Sequence, residues 1–389
     1  MRILQLSGDW KWTGPSGPLL ALALAQRAAG HEVDLACPRA PAGEPDGLWL
    51  RAEQQGLAPV LELRRARGVI WWRDTADAGR LASLVAARGY DVLHAWHTRD
   101  HVLAVRAAAA RRASGACRVV RSFPDAAPLP RTPWARWLFG SGTDGLWCVS
   151  PETARRNASR RRGPVRGGLA AVDLARFRPA PAPAPLRAAL GLSPEHRVVG
   201  IAARVQRHRR FELLIAALGL LLEREPLARM VVLGRGTHLD AALRRPAERR
   251  GVARQVIFAG YRRDDYPDAL RCFDVFTLLV PGSDGSCRAL VEAQASGLPA
   301  VVTRRGALPE IIDPGRTGLV VDERPEALSA AWHALLSDPA RRARMGAAAR
   351  ARAEALFAPA RLALQVDALY RAAGAASSDG SHCSSTSSR

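Results

Sequence analysis

Two carboxylates separated by seven residues, Asp284 and Glu292, bracket the stretch DGSCRALVE, and each can accept hydrogen bonds. The residues around them follow the order of a strand-to-helix crossover. The apolar run VFTLLV ends in a Gly/Ser loop, and a helix starting near Cys287 carries Glu292. A second strand follows Gly297, Leu298 and Pro299, and a further turn holds Gly306, Pro309 and Glu310. Doubly wound parallel sheets bind ligands in loops outside the carboxyl ends of their strands. The first amides of a helix starting near Ser286 lack intrahelical partners, so a phosphate suits this place. Upstream, GIAARVQRHRRFELLIAAL reads as a strand ending at Arg204, a basic turn containing Arg209, and a helix beginning near Phe211.

The elements that must position these residues are short apolar runs alternating with Ala- and Leu-rich helical stretches, the sequence form of repeated βαβ units. In the first half the expected strands are Arg2–Leu6, Glu32–Ala36, Val92–Ala95, Arg118–Arg121 and Leu146–Val149. In the second half they are Val198–Ala202, Met230–Gly234, Val256–Ala259, Val275–Leu279, Ala300–Thr303 and Leu319–Val321. Between the halves, RFRPAPAPAPLR has alternating prolines that favour an extended, semi-rigid connection. The expected organisation is a first domain over 1–178, a linker over 179–186, a second domain over 187–357, a closing helix over 358–375 and a disordered Ser-rich tail over 376–389.

The second-half motifs resemble the retaining GT-B glycosyltransferases of family 4. Their hallmark is an acidic pair separated by seven residues, then A-x-x-G-x-P and G-G-x-P-E. The resemblance spans roughly residues 1 to 373, is specific in the second half and topological in the first. It implies an α/β GT-B architecture, two Rossmann-like doubly wound domains facing a central cleft. It also implies transfer of a sugar, with retention, from a nucleotide diphosphate sugar to a lipid-linked, saccharide or small-metabolite acceptor, with no metal or other cofactor. Carried over residue by residue, Asp284 and the loop of Gly285, Ser286 and Cys287 hold the donor sugar, and Glu292 holds the ribose. The segment around Arg204 and Arg209 is similar to the family's G-R-L-x-x-x-K-G-F-x-x-L-I, which places both arginines on the donor diphosphate. Asp284, Arg204 and Arg209 are thus the expected catalytic residues. The glycine-rich loop of Gly14 and Gly17 after the first strand is the expected diphosphate-facing loop of the first domain.

Two positions depart from the pattern. The family's first acidic residue is usually glutamate followed by Gly-Phe, whereas here Asp284 is one methylene shorter. The family's histidine after the fifth strand is replaced by Pro124, which leaves Asp125 and His97 as acceptor-side candidates. These departures motivate a rival reading, a catalytically silent GT-B protein that binds or regulates.

The formal net charge is +21, from 57 basic against 36 acidic residues, and Lys11 is the only lysine. Such basicity favours anionic partners. Tryptophans sit beside arginines in RRARGVIWWRD and RTPWARWLFG, which suits peripheral contact with an anionic membrane on its inner face. A nucleic-acid partner is the third reading, on charge alone, because no recognised binding motif accompanies the arginines. Six scattered cysteines without CxxC pairs, no signal-peptide pattern, and no apolar run near the roughly 18 residues that span a bilayer point to a reduced, metal-free cytoplasmic protein.

Overall fold

The computed structural model describes residues 1–12, 15–44, 46–66, 74–124, 127–236, 238–282, 285 and 287–375, together with the helical backbone of 376–379. It divides into two compact units, Met1–Ala170 with the chain from Pro359 onward, and Ala171–Ala358.

The first unit holds a parallel sheet of β1 (Arg2–Leu6), β2 (Glu32–Cys37), β3 (Leu61–Glu62), β4 (Val92–Ala95), β5 (Arg118–Phe123), β6 (Gly145–Cys148) and β7 (Val165–Gly167). Its spatial order is β3-β2-β1-β4-β5-β6-β7. The second unit holds β8 (Arg197–Ala202), β9 (Ala228–Leu233), β10 (Val256–Gly260), β11 (Val275–Leu278), β12 (Ala300–Thr303) and β13 (Gly318–Val321), ordered β10-β9-β8-β11-β12-β13. All pairings in both sheets are parallel. Central strands are buried along their whole length, as β4, β6, β11 and β12 are, which is why they read as unbroken apolar runs rather than alternating ones. The expected strands are all present within one or two residues of their ends. The short edge strands β3 and β7 lay below what apolar patterning can resolve.

Strand order reverses between β1 and β4 in the first sheet and between β8 and β11 in the second. At the second of these points Gly200 of β8 faces the ring of buried Phe273, and a Cβ there would overlap the ring. The absence of a side chain lets the segment entering β11 lie flat on β8.

The proline-rich stretch is not the domain boundary that the sequence suggests. Residues from Ala171 belong to the second unit because Arg350 gathers them in, donating through Nη1 to the carbonyls of Leu174 (3.2 Å), Phe177 (2.7 Å) and Ala295 (2.8 Å). The prolines are not wholly extended either, since Pro185 lies in the first turn of the helix Ala184–Ala189, where a missing N–H costs nothing. The final helix, Pro359–Asp379, continues past Ala376 into the expected tail, and the remainder of that tract lies outside the described residues.

This final helix is fixed to the first unit by buried polar contacts. Trp96 Nε1 donates to Gln5 (2.8 Å), Gln5 to Gln26 (3.0 Å) and Gln26 to Asp367 (2.9 Å), while His31 Nε2 lies 2.7 Å from the other Asp367 oxygen. Alongside, His94 bonds Tyr370 through Nδ1 (2.6 Å) and Ser122 through Nε2 (2.8 Å). Burial, with the Arg121 guanidinium adding to it, pushes His94 from 6.5 down to about 3, and burial also drives His101 well below the usual range. Both rings are neutral in the folded chain. The unfolded chain binds protons that the folded chain does not, so this contribution is complete above about pH 6.5 and is lost as pH falls toward about 3. Equilibrium denaturation is predicted to show stability falling through this window by up to about 1.4 kcal/mol per pH unit for each histidine. His94→Gln is predicted to flatten the slope, and an unchanged slope would contradict the assignment.

Candidate functional site

Of the residues singled out in the sequence, Arg204, Arg209, Gly285 and Cys287 lie in the segments that follow β8 and β11, and His97 follows β4, at the carboxyl ends of the strands where order reverses. In the second unit, the chain leaves β8 through Ala203 and Arg204 and crosses a single turn of 3-10 helix at Arg207–Arg209. It enters the helix Phe211–Leu222 with Arg210 in the left-handed region, φ 62°. Arg204 is exposed and Arg209 half-buried. Arg209 Nη1 donates to the carbonyls of Val280 (2.9 Å) and Pro281 (2.7 Å), in the segment that follows β11. One guanidinium therefore spans the switch point and holds the two loops together. A cation so anchored needs little reorganisation when charge develops near it.

The loop after β11 contains Gly282 and Gly285, and the Gly285 amide donates to the Gly282 carbonyl at 3.0 Å. Asp284 and Ser286 lie outside the described residues. Cys287 is the N-cap of the helix Arg288–Ala295, with φ 50°, and its buried thiol turns back toward the Gly285 carbonyl (Sγ to O 3.5 Å). Cys287 and Arg210 are the two described non-glycine residues with positive φ, and both start helices at this site. Such backbone conformations disfavour a Cβ and are retained where surrounding structure imposes them. Arg210 occupies the glycine position of the G-R-L-x-x-x-K-G-F pattern, so its strain follows from the substitution. The loop after β12 closes in from the other side, with Gly306 (φ 51°) against Pro281, where a Cβ would come within 2.8 Å of Pro281 Cγ.

Glu292 lies on the helix Arg288–Ala295 and is 9% exposed. Arg288 Nε lies 3.3 Å from one of its carboxylate oxygens, and the Tyr266 hydroxyl donates to the other at 3.1 Å. Tyr266 is 26 positions away in sequence and gives no local signal of the contact. A second group that sequence reading missed is Glu323, which receives a fork from Arg305 (Nη2 to Oε2 2.7 Å) and lies 3.8 Å from Arg210 Nε. Arg305 holds the Glu323 carboxyl below the usual range.

In the first unit, His97 follows β4 at the switch point and is the N-cap of the helix Thr98–Ala107. The buried Asp100 carboxylate accepts the amides of Trp96 (2.9 Å) and His97 (2.9 Å), which sets the chain direction there. Gly17 is not in a loop, because the helix Ser16–Ala28 begins one residue earlier. It contributes a first-turn position instead. Gly14 and Asp125 lie outside the described residues, as do Trp71 and Trp72. Trp134 and Trp137 are 38% and 41% exposed and stack with centroids 5.0 Å apart. No described helix is long and apolar enough to cross a membrane.

The family described as glycosyl transferases group 1 matches residues 184–352, and glycosyltransferase family 4 matches residues 19–166. A GDP-mannose-dependent alpha-(1-6)-phosphatidylinositol monomannoside mannosyltransferase of Mycolicibacterium smegmatis is 34% identical over 295 residues, 70% of this chain and 74% of that relative. A D-inositol 3-phosphate glycosyltransferase of Rhodococcus opacus is 35% identical over 192 residues, 47% of this chain and 42% of that one. The structure of Anabaena Alr3699/HepE in complex with UDP shares the fold, with TM-score 0.76, 18% identity, and 95% and 99% of the two chains covered.

The chain belongs to the GT-B glycosyltransferases of group 1, and it transfers a sugar from a nucleotide-sugar donor to an acceptor. This favours the enzyme reading over the silent one.

Because Arg210 carries strain that glycine would not, Arg210→Gly is predicted to raise unfolding stability by about 1 kcal/mol. A chemical denaturation midpoint that stays put or falls would show that its contact with Glu323 outweighs the backbone term.

Proposed function

We propose that this enzyme is a retaining, metal-independent transferase that takes a hexose from a nucleoside diphosphate hexose, GDP-mannose being the first candidate, and places it on a lipid-linked acceptor. The observation that carries the donor half is Arg209 spanning the switch point between β8 and β11, with Glu292 on the helix beside it. The choice of GDP-mannose and of a lipid-linked acceptor is supported by the name of the mycobacterial relative.

In this reading, the leaving diphosphate gathers charge on its β-phosphate oxygen as the glycosidic bond breaks, and Arg204 and Arg209 stabilise it in the role a divalent cation plays elsewhere. Arg209 acts as a preset fork, because its carbonyl contacts hold it in place before the donor arrives. Glu292 accepts the ribose hydroxyls. Asp284 and the backbone of Gly285, Ser286 and Cys287 hold the hexose. Departure of the leaving group on the same face as attack needs this charge stabilisation more than a strong base, which suits a chain with Pro124 where the family has histidine. His97, at the end of β4, and Asp125 are the acceptor-side candidates.

The test is donor binding followed by thermal shift, with GDP, UDP, ADP and dTDP and their sugars, with and without EDTA. One nucleotide class is expected to stabilise the protein, chelator to have no effect, and Glu292→Ala or Arg209→Ala to weaken binding by about tenfold or more. Unchanged affinity in both variants would overturn the site assignment.

Membrane contact is supported by the stacked, exposed Trp134 and Trp137, with Arg131 and Arg136 exposed beside them. Aromatic rings with adjacent cations fit the interface of an anionic bilayer. Vesicles containing phosphatidylglycerol are predicted to bind the protein and shift its tryptophan emission to the blue, while pure phosphatidylcholine does so weakly. Replacing Trp134 and Trp137 together with alanine should lower binding severalfold. Equal binding by the double variant would contradict this surface.

A further inference from the structure

An i,i+4 arginine alone fixes a carboxylate only weakly, because both side chains keep rotamer freedom. Glu292 has Arg288 in that relation at 3.3 Å, with the Arg288 side chain 36% exposed. The Tyr266 hydroxyl adds a second fixed point on the other oxygen, at 3.1 Å, and it comes from outside the helix. Tyr266 opens the helix Tyr266–Arg271 that follows β10, so it is attached to a different strand-end loop from Glu292.

The tyrosine is itself held. Its ring packs edge-to-face on buried Phe177, with centroids 5.8 Å apart, and the Phe177 carbonyl is one of those gathered by Arg350. The adjoining Arg176 donates to the Arg263 carbonyl at 2.8 Å, tying Phe177's segment to the loop that leads into Tyr266. Burial of the phenol, and then the Glu292 carboxylate beside it, push the Tyr266 pKa well above the ordinary value, so the group is a hydrogen-bond donor across the physiological range.

From this geometry we infer that Tyr266 is a positioning residue for the donor nucleotide: its hydroxyl aims the Glu292 carboxylate at the ribose diol, and its effect on affinity is expressed through those ribose hydroxyls. The inference rests on the ribose role proposed for Glu292. A held carboxylate presents a preset acceptor pair to the diol, whereas a mobile one must be ordered on binding, and that ordering lowers affinity.

The experiment is calorimetric titration of the full chain, wild type, Tyr266→Phe, Glu292→Gln and the double variant, with GDP and with 2′,3′-dideoxy-GDP, and with the UDP pair in parallel. Phenylalanine retains the ring that packs on Phe177 and deletes only the hydroxyl. Wild type is expected to prefer the ribonucleotide. Tyr266→Phe should weaken its binding about tenfold, leave the dideoxy analogue within about twofold of wild type, and add nothing to Glu292→Gln, as expected of groups that act as one unit. Equal weakening of the ribo and dideoxy ligands by Tyr266→Phe would overturn the inference, since a merely structural tyrosine would act on both, and so would unchanged binding of both. In either of those cases a persisting ribose preference that Glu292→Gln removes would leave the proposed donor site standing. A wild type that binds GDP and its dideoxy analogue equally would overturn the ribose role of Glu292 and the inference with it.

Discussion

The guanidinium of Arg209, donating to the carbonyls of Val280 and Pro281, joins the loop after β8 to the loop after β11, and the proposed donor site is built around that junction. It matters because the sheet is parallel. Every strand delivers its helix-bound loop to the same edge, and the reversal of strand order between β8 and β11 sends the flanking helices to opposite faces and leaves a crevice there. Backbone at such a crevice cannot satisfy itself as a strand or a helix would. Arg209 takes up two carbonyls and brings a positive charge to the place where a diphosphate would lie. Local backbone strain is found in the same loops, at Arg210 and Cys287, where the chain must turn sharply into the two site helices.

The same device recurs away from the site. Arg161 donates to the carbonyls of Phe139, Pro164 and Thr143, Arg350 to those of Leu174, Phe177 and Ala295, and Arg352 to those of Glu310 and Ile311. A planar fork can bind several carbonyls at once, which a lysine point charge cannot do with the same precision. These arginines, part of the net charge of +21, thus also stitch loops to helix ends.

Most of the strand layout was legible because central parallel strands are apolar on both faces and helices between them carry their own periodicity. Asp284, Glu292, Arg204 and Arg209 could be singled out as candidates because they sit in patterned segments of the sequence. What was hidden depended on contacts distant in sequence. The boundary at Ala170 is set by Arg350 reaching back to Leu174 and Phe177, and proline content gave the wrong marker for it. Tyr266 reaches Glu292 across 26 residues, and Glu323 meets Arg305 and Arg210 from three different loops. Gly17 shows the limit in the other direction, since a glycine cluster suggested a loop where the backbone already turns as the helix Ser16–Ala28.

A crystal structure of the enzyme with a nucleoside diphosphate bound decides whether the donor diphosphate lies at the β8/β11 switch point on Arg204 and Arg209. Phosphate oxygens are expected within hydrogen-bond distance of both guanidinium groups, with the ribose hydroxyls on Glu292. A nucleotide bound elsewhere, or bound here with its phosphates turned away from Arg204 and Arg209, would contradict this placement.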